Sequence, residues 1–93
     1  MKQFVYPAVV YEQEENILIG YPDLDIYTDG KTIEEAFLFA KDYLRVHITT
    51  ALKHEMEFNL PTKFEKIVEK FKKAKHCLLI DTFVREEELK RNK

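Results

Sequence analysis

An α+β domain is what this sequence predicts: a three- to four-stranded, mostly antiparallel sheet with helices packed on one face, in the order β-β-β-α-α-β. Three observations lead there. Two runs rich in β-branched and aromatic residues flank a short polar turn near the N-terminus. A long stretch from Ile33 to about His54 repeats its apolar residues with helical period. A closing apolar run, His76 to Val84, follows a lysine-rich segment.

The first strand, Phe4 to Tyr11, is apolar on both alternating sets of residues, which predicts an interior strand covered on two sides. Pro7 conflicts with that, because proline donates no ladder hydrogen bond, so a local bulge or an open pairing site is expected there. Glu12 to Asn16 is a polar turn, and Ile17 to Tyr21 is the return strand of a hairpin. Ile26 to Thr28 is at most a short third strand. Thr32 and Glu35 have capping-box spacing and open the long helix. On that helix Ile33, Phe37, Ala40, Leu44, Ile48 and Ala51 form a stripe facing the sheet, with Glu34, Glu35, Lys41, Asp42, Arg45 and Lys53 opposite. Phe39 and Val46 lie on the flank beyond Tyr43. Either they widen the core contact or they form an apolar ridge offered to another chain.

Thr62 and Glu65 repeat the capping spacing, and Phe64, Ile67, Val68 and Phe71 make the stripe of a second helix reaching about Ala74. The last strand follows a long crossover and has the option of pairing parallel with the first, by a right-handed connection. Residues 1–84 form one domain, and 85–93 form a charged tail, frayed or partly helical.

Composition narrows the function. With 93 residues there is room for one core. A net charge of -2 gives no sign of a nucleic-acid partner. The single Cys77 excludes an internal disulfide and fits a reducing compartment; its apolar surroundings suggest a buried, inert thiol. The N-terminus lacks a signal-peptide run, and no stretch approaches the roughly 20 apolar residues a bilayer needs. A soluble, cytoplasmic protein without a membrane partner is expected.

Catalytic patterns are missing. The chain has no serine and no phosphate-binding glycine loop, and Cys77 has no base beside it, so no catalytic residue is assigned. His47 and His54 are separated by seven residues, about 10 Å along a helix, too far to share an ion; no metal and no cofactor is expected. A two-metal nuclease needs carboxylates converging from strand centres, and Phe4 to Tyr11 carries none. Eight acids (Glu12, Glu14, Glu15, Asp23, Asp25, Asp29, Glu34, Glu35) fall between Glu12 and Glu35, with Lys31 the one base among them. They read as solvated turns and a helix start, or as an acidic patch for a basic partner. Six lysines (Lys63, Lys66, Lys70, Lys72, Lys73, Lys75) crowd the second helix and its exit; i, i+4 pairing with Glu65 and Glu69 and solubility suffice to explain them.

Four segments, Val5-Tyr6-Pro7-Ala8, Tyr21-Pro22-Asp23-Leu24, Gly30-Lys31-Thr32-Ile33-Glu34-Glu35-Ala36 and the Leu60-Pro61 elbow, resemble in order and spacing the HicB antitoxin family. The resemblance covers about residues 4 to 84 and departs where members often read Pro-Gly-Cys and this chain has Asp25-Ile26-Tyr27. It implies a partial RNase H-like fold without nuclease acids, a non-enzymatic role, and a HicA-type basic ribonuclease toxin as partner. It also softens the objection to Pro7. Many members carry a C-terminal DNA-binding segment; the charged residues after Val84 cannot form one, so direct DNA binding is not expected. Tyr21, Asp23, Asp25, Tyr27 and Asp29 are the candidate toxin contacts, although Asp23 and Asp29 have a purely local role open to them. The alternative is a scaffold domain without toxin that homo-oligomerises through Phe39, Tyr43 and Val46.

Overall fold

The computed structural model describes residues 1–89. Four strands and two helices follow in the order β1 (Lys2–Glu12), β2 (Ile17–Tyr21), β3 (Ile26–Gly30), α1 (Ile33–Lys53), α2 (Phe64–Lys70) and β4 (His76–Val84). The sheet order is β3-β2-β1-β4, and every neighbouring pair is antiparallel.

β1 is the central strand because both of its faces are apolar. Tyr6, Ala8 and Val10 join Ile19, Tyr21, Ile80 and Val84 in the main core, which α1 closes with Ala36, Ala40, Leu44 and Ile48. Pro7 and Val9 alternate to the other face and are equally buried. The Pro7 conflict resolves without a bulge. β1 pairs with β4 in unbroken register from Lys2↔Val84 to Val10↔His76, whereas its ladder with β2 runs from Val9 to Glu12. Pro7 therefore has a strand on one side only, which is where a residue without an N–H is tolerated.

The hairpin turn is closed by the Gln13 amide donating to the Asn16 carbonyl at 2.8 Å. β3 is longer than expected, pairing along its whole length with β2 from Tyr21↔Ile26 to Ile17↔Gly30. Thr32 caps α1: its hydroxyl accepts from the Glu35 amide at 3.1 Å. The Glu35 carboxylate returns one residue further than a capping box prescribes, accepting from the Lys31 amide. The sheet-facing stripe is Ala36, Ala40, Leu44, Ile48 and Ala51; Ile33 is exposed and Phe37 half-buried. At the other end Glu55 takes φ 54°, and the Met56 and Glu55 amides donate to the Ala51 and Leu52 carbonyls, a Schellman closure with glutamate where glycine is usual.

Two expectations change. α2 ends at Lys70, and Thr62 caps nothing, being occupied elsewhere. β4 runs antiparallel to β1, not parallel. The segment after Thr62 first travels to the Val10 end of the sheet, where the Lys75 amide donates to the Val10 carbonyl at 2.7 Å, so the strand must run back. The charged stretch after β4 packs rather than frays: a 3₁₀ turn, Glu86–Leu89, sets Leu89 against the core and Glu88 against Arg45. The rest of that tail, 90–93, lies outside the described residues. Cys77 is partly buried. No described helix is long and apolar enough to cross a membrane.

Gly30 is where the α1 start meets the sheet. A Cβ there would stand 2.6 Å from the Ala36 amide nitrogen and 2.9 Å from its Cα, which are backbone atoms. Gly30→Ala should destabilise the domain by about 1–3 kcal/mol, the cost of overpacking, read as a lower urea midpoint at unchanged slope. A variant as stable as the parent contradicts the packing at this junction.

Candidate partner-binding surface

The five candidate contacts and the helical ridge do not fall where the sequence grouped them. Tyr21 is fully buried, and its hydroxyl donates to the Ala40 carbonyl at 2.6 Å. It ties β2 to α1 and cannot touch a partner. Asp23 also turns inward. Its carboxylate accepts from the Thr62 amide at 2.8 Å and from the Thr62 hydroxyl, while its carbonyl accepts from the Asn59 side chain at 2.9 Å. Beside it the Tyr6 hydroxyl donates to the Asn59 carbonyl at 2.6 Å. Burial, with the Asp23 charge second, pushes the Tyr6 phenol above its ordinary value. Asp23 is thus a clamp that pins the crossover after α1 onto the corner after β2, a role the sequence could not show because its partners lie 36 and 39 residues away.

Asp25 is exposed in that same corner at φ 53°, a left-handed conformation that Asp tolerates better than most residues. Asp29 sits at the far end of β3, where the Asn16 side chain donates to it at 3.0 Å. The early acids consequently do not make one patch. Asp23 and Asp25 lie at one end of the β2–β3 hairpin; Asp29 and the turn acids Glu12, Glu14 and Glu15 lie at the other.

The surface that does converge joins β3 to the outer flank of α1. Tyr27, Thr28 and Asp29 form one bank of a shallow open groove; Phe39, Asp42, Tyr43 and Val46 form the other. Phe39 and Tyr43 are spaced i, i+4 and Val46 follows at i+7, so all three project from one side of the helix. They are 51%, 41% and 48% exposed, so they stand outside the core. Tyr27 is 42% exposed. Its ring lies across Gly20, where a Cβ would come within 2.0 Å of Cδ2, so the missing side chain at Gly20 leaves the ring its place. Burial raises the Tyr27 phenol above its ordinary value, with Tyr11 and Asp25 adding to the effect. β3 is moreover an edge strand, with one side of its backbone unpaired in the sheet.

Sequence reasoning found Tyr27, Asp29, Phe39, Tyr43 and Val46 as two separate sets. It missed Thr28 and Asp42; Asp42 was assigned to the solvated back of the helix, and its i+3 spacing from Phe39 was the available signal. Elsewhere, His47 is half-buried near Asp23 and Asn59. No three His, Cys, Asp or Glu side chains among the described residues are grouped to hold a metal.

No protein-family model and no curated protein matches this sequence. Solved structures do. A toxin–antitoxin complex from Streptococcus pneumoniae aligns with TM-score 0.71 at 17% identity, over 86% of this chain and 69% of that one. The antitoxin HicB of Burkholderia pseudomallei aligns with TM-score 0.72 at 17% identity, over 94% of this chain and 66% of its own. The fold is HicB-like. A HicA3 and HicB3 toxin–antitoxin complex adds a match with TM-score 0.62 at 18% identity, over 84% of this chain and 94% of that chain. This chain therefore spans about two thirds of the first two proteins. What the three share with it, at this identity, is the HicB-like α+β architecture built above.

Two predictions follow from the relocated residues. Asp23→Ala removes two accepted hydrogen bonds and leaves the Thr62 amide without its partner; stability should fall by about 1–3 kcal/mol in urea unfolding. Equal stability rejects the clamp. Burial lifts the Tyr21 phenol well above its ordinary value of 10.0. A raised folded value means that this group's stabilisation is complete below pH about 10 and is lost as the pH climbs toward the folded value. Tyr21→Phe should flatten that alkaline loss in pH-dependent unfolding, at the expense of the hydrogen bond to Ala40.

Proposed function

We propose that this chain acts as an antitoxin of HicB-like fold, binding a small basic HicA-type ribonuclease toxin and covering its RNA-binding surface, without catalysis of its own. The observation that carries this reading is the groove between β3 and α1. It combines four exposed apolar or aromatic side chains with two carboxylates, Asp29 and Asp42, and no basic lining residue. An aromatic centre with a polar rim is the composition of a protein interface, and two acids at the rim suit a basic partner. The HicB-like architecture, shared with toxin–antitoxin complexes, supports the class of partner. The binding unit in this reading is the domain of residues 1–84 together with the 3₁₀ turn packed on it. Operator binding forms no part of the proposed activity, and the proposed site of action is the cytoplasm.

The homo-oligomer reading draws on the same residues, since Phe39, Tyr43 and Val46 line the groove with Tyr27 and Asp29. Toxin binding and self-association through this ridge are thus mutually exclusive, a relation that the sequence did not suggest.

Co-expression with the small basic protein encoded nearest to this gene should relieve its toxicity, and the purified pair should form a complex by light scattering. Phe39→Asp should weaken that complex by at least about 30-fold, the scale of a central anchor residue. Asp29→Lys with Asp42→Lys should chiefly slow association, more so at low salt. If folded variants bind the toxin as the parent does, the groove is not the interface. If no toxin is neutralised and Phe39→Asp turns a dimer into a monomer, the scaffold reading replaces the antitoxin.

A further inference from the structure

The lysine-rich crossover between α1 and β4 does not fit the explanation the sequence suggested. Inside α2 the i, i+4 pairs are Lys66 with Lys70 and Glu65 with Glu69, like charge against like, and Lys66 with Glu69 at i, i+3 is the one pair of opposite charge. Glu69 and Lys73 have the right spacing, but the helix ends at Lys70. All six lysines are exposed. Among the described residues Lys75 alone of the six forms a salt bridge, with Glu12 at 2.9 Å, and Lys70 lies 5.8 Å from the centre of the Phe71 ring. From residue 63 to 75 the segment has six lysines against two glutamates, a net charge of +4 in a chain of net charge -2.

The charges are also sorted and held. With Ile67 buried beneath α2, Lys66 and Lys70 fall on one flank, 40° apart at 100° per residue, and Lys63 immediately precedes the helix. Glu65 and Glu69 fall on the outer face, with Glu69 bordering the row at 60° from Lys66. The segment is fixed in front by Thr62 on Asp23, in the middle by Ile67, which is 3% exposed, and behind by the Lys75 amide on Val10. A solvated charge run needs no such anchoring, while a binding surface gains from it because the ordering cost is already met.

We propose that this flank, Lys63, Lys66 and Lys70 with the following Lys72 and Lys73, binds the phosphate backbone of nucleic acid. The rise between Lys66 and Lys70 is about 6 Å. That spans roughly two phosphates of one strand, at about 3.4 Å of axis each. Lysines supply point charges, and no arginine fork accompanies them in the segment, so the contact is with backbone and reads no sequence. An anionic lipid surface is the other polyanion to consider, but it wants apolar side chains beside the charges. Val68, the exposed apolar residue of α2, lies on the opposite flank. This surface is separate from the groove between β3 and α1 and does not depend on toxin binding.

The test uses the whole chain, with fluorescence anisotropy on a labelled 20-nucleotide single-stranded RNA and on a DNA duplex of mixed sequence. Vesicles of phosphatidylcholine and phosphatidylserine form a third arm, read by sedimentation. Lys63, Lys66 and Lys70 alone, as three phosphate contacts, predict that affinity falls by at least about 20-fold for single strands and about 40-fold for duplex between 50 and 200 mM salt. The triple variant Lys63→Gln, Lys66→Gln, Lys70→Gln should lose most of that salt dependence. It should also melt close to the parent, since one like-charge pair, Lys66 with Lys70, and one opposite-charge pair, Lys66 with Glu69, are removed together. Its inhibition of the toxin should be unchanged, which separates failure here from failure of the antitoxin reading. No binding at 50 mM salt, an unchanged salt slope in the variant, or sedimentation with vesicles in place of nucleic-acid binding overturns the proposal.

Discussion

A central strand that is apolar on both faces has to be covered from both sides, and most of this molecule's architecture follows from that need. One face of β1 takes the long helix, through Ala36, Ala40, Leu44 and Ile48. The other buries Pro7 and Val9, which α1 cannot reach. The same apolar character leaves no carboxylate in the buried stretch Tyr6–Val10 to hold an ion or move a proton.

The two buried tyrosines show how such a core tolerates polarity. Tyr6 and Tyr21 each donate to a backbone carbonyl at 2.6 Å, so their rings supply buried area while their hydroxyls stay satisfied. Both bonds also join distant parts of the chain, β1 to the α1–α2 crossover and β2 to α1. Together with Asp23 they join the corner after β2, α1 and the start of the crossover.

On that frame the exposed surface divides by charge. The β3–α1 groove has aromatic side chains and acids. The crossover has lysines on a separate element. A chain with a total charge near zero is therefore polar in its distribution, which the net value conceals. Such separation makes each surface accessible to substitutions that leave the other intact.

Local pattern was enough for the strands, the Thr32 cap, the stripe through Ala40, Leu44, Ile48 and Ala51, and the resemblance to HicB, because alternation, helical period and capping act over a few residues. It named Tyr27, Asp29, Phe39, Tyr43 and Val46 but did not show that they line one groove. What local pattern lacked was the third dimension. Tyr21 looked like part of an exposed motif and proved to be core, because its carbonyl partner sits on the helix laid over the sheet. Asp23 looked available and is bound to Thr62, 39 residues on. β4 looked free to run either way until the crossover's path along the sheet fixed its direction. The residues themselves determined which elements form and which side chains have the chemistry for binding. Tertiary packing alone decided which of those side chains remain at the surface and which meet there, since both depend on contacts that close only when distant segments come together.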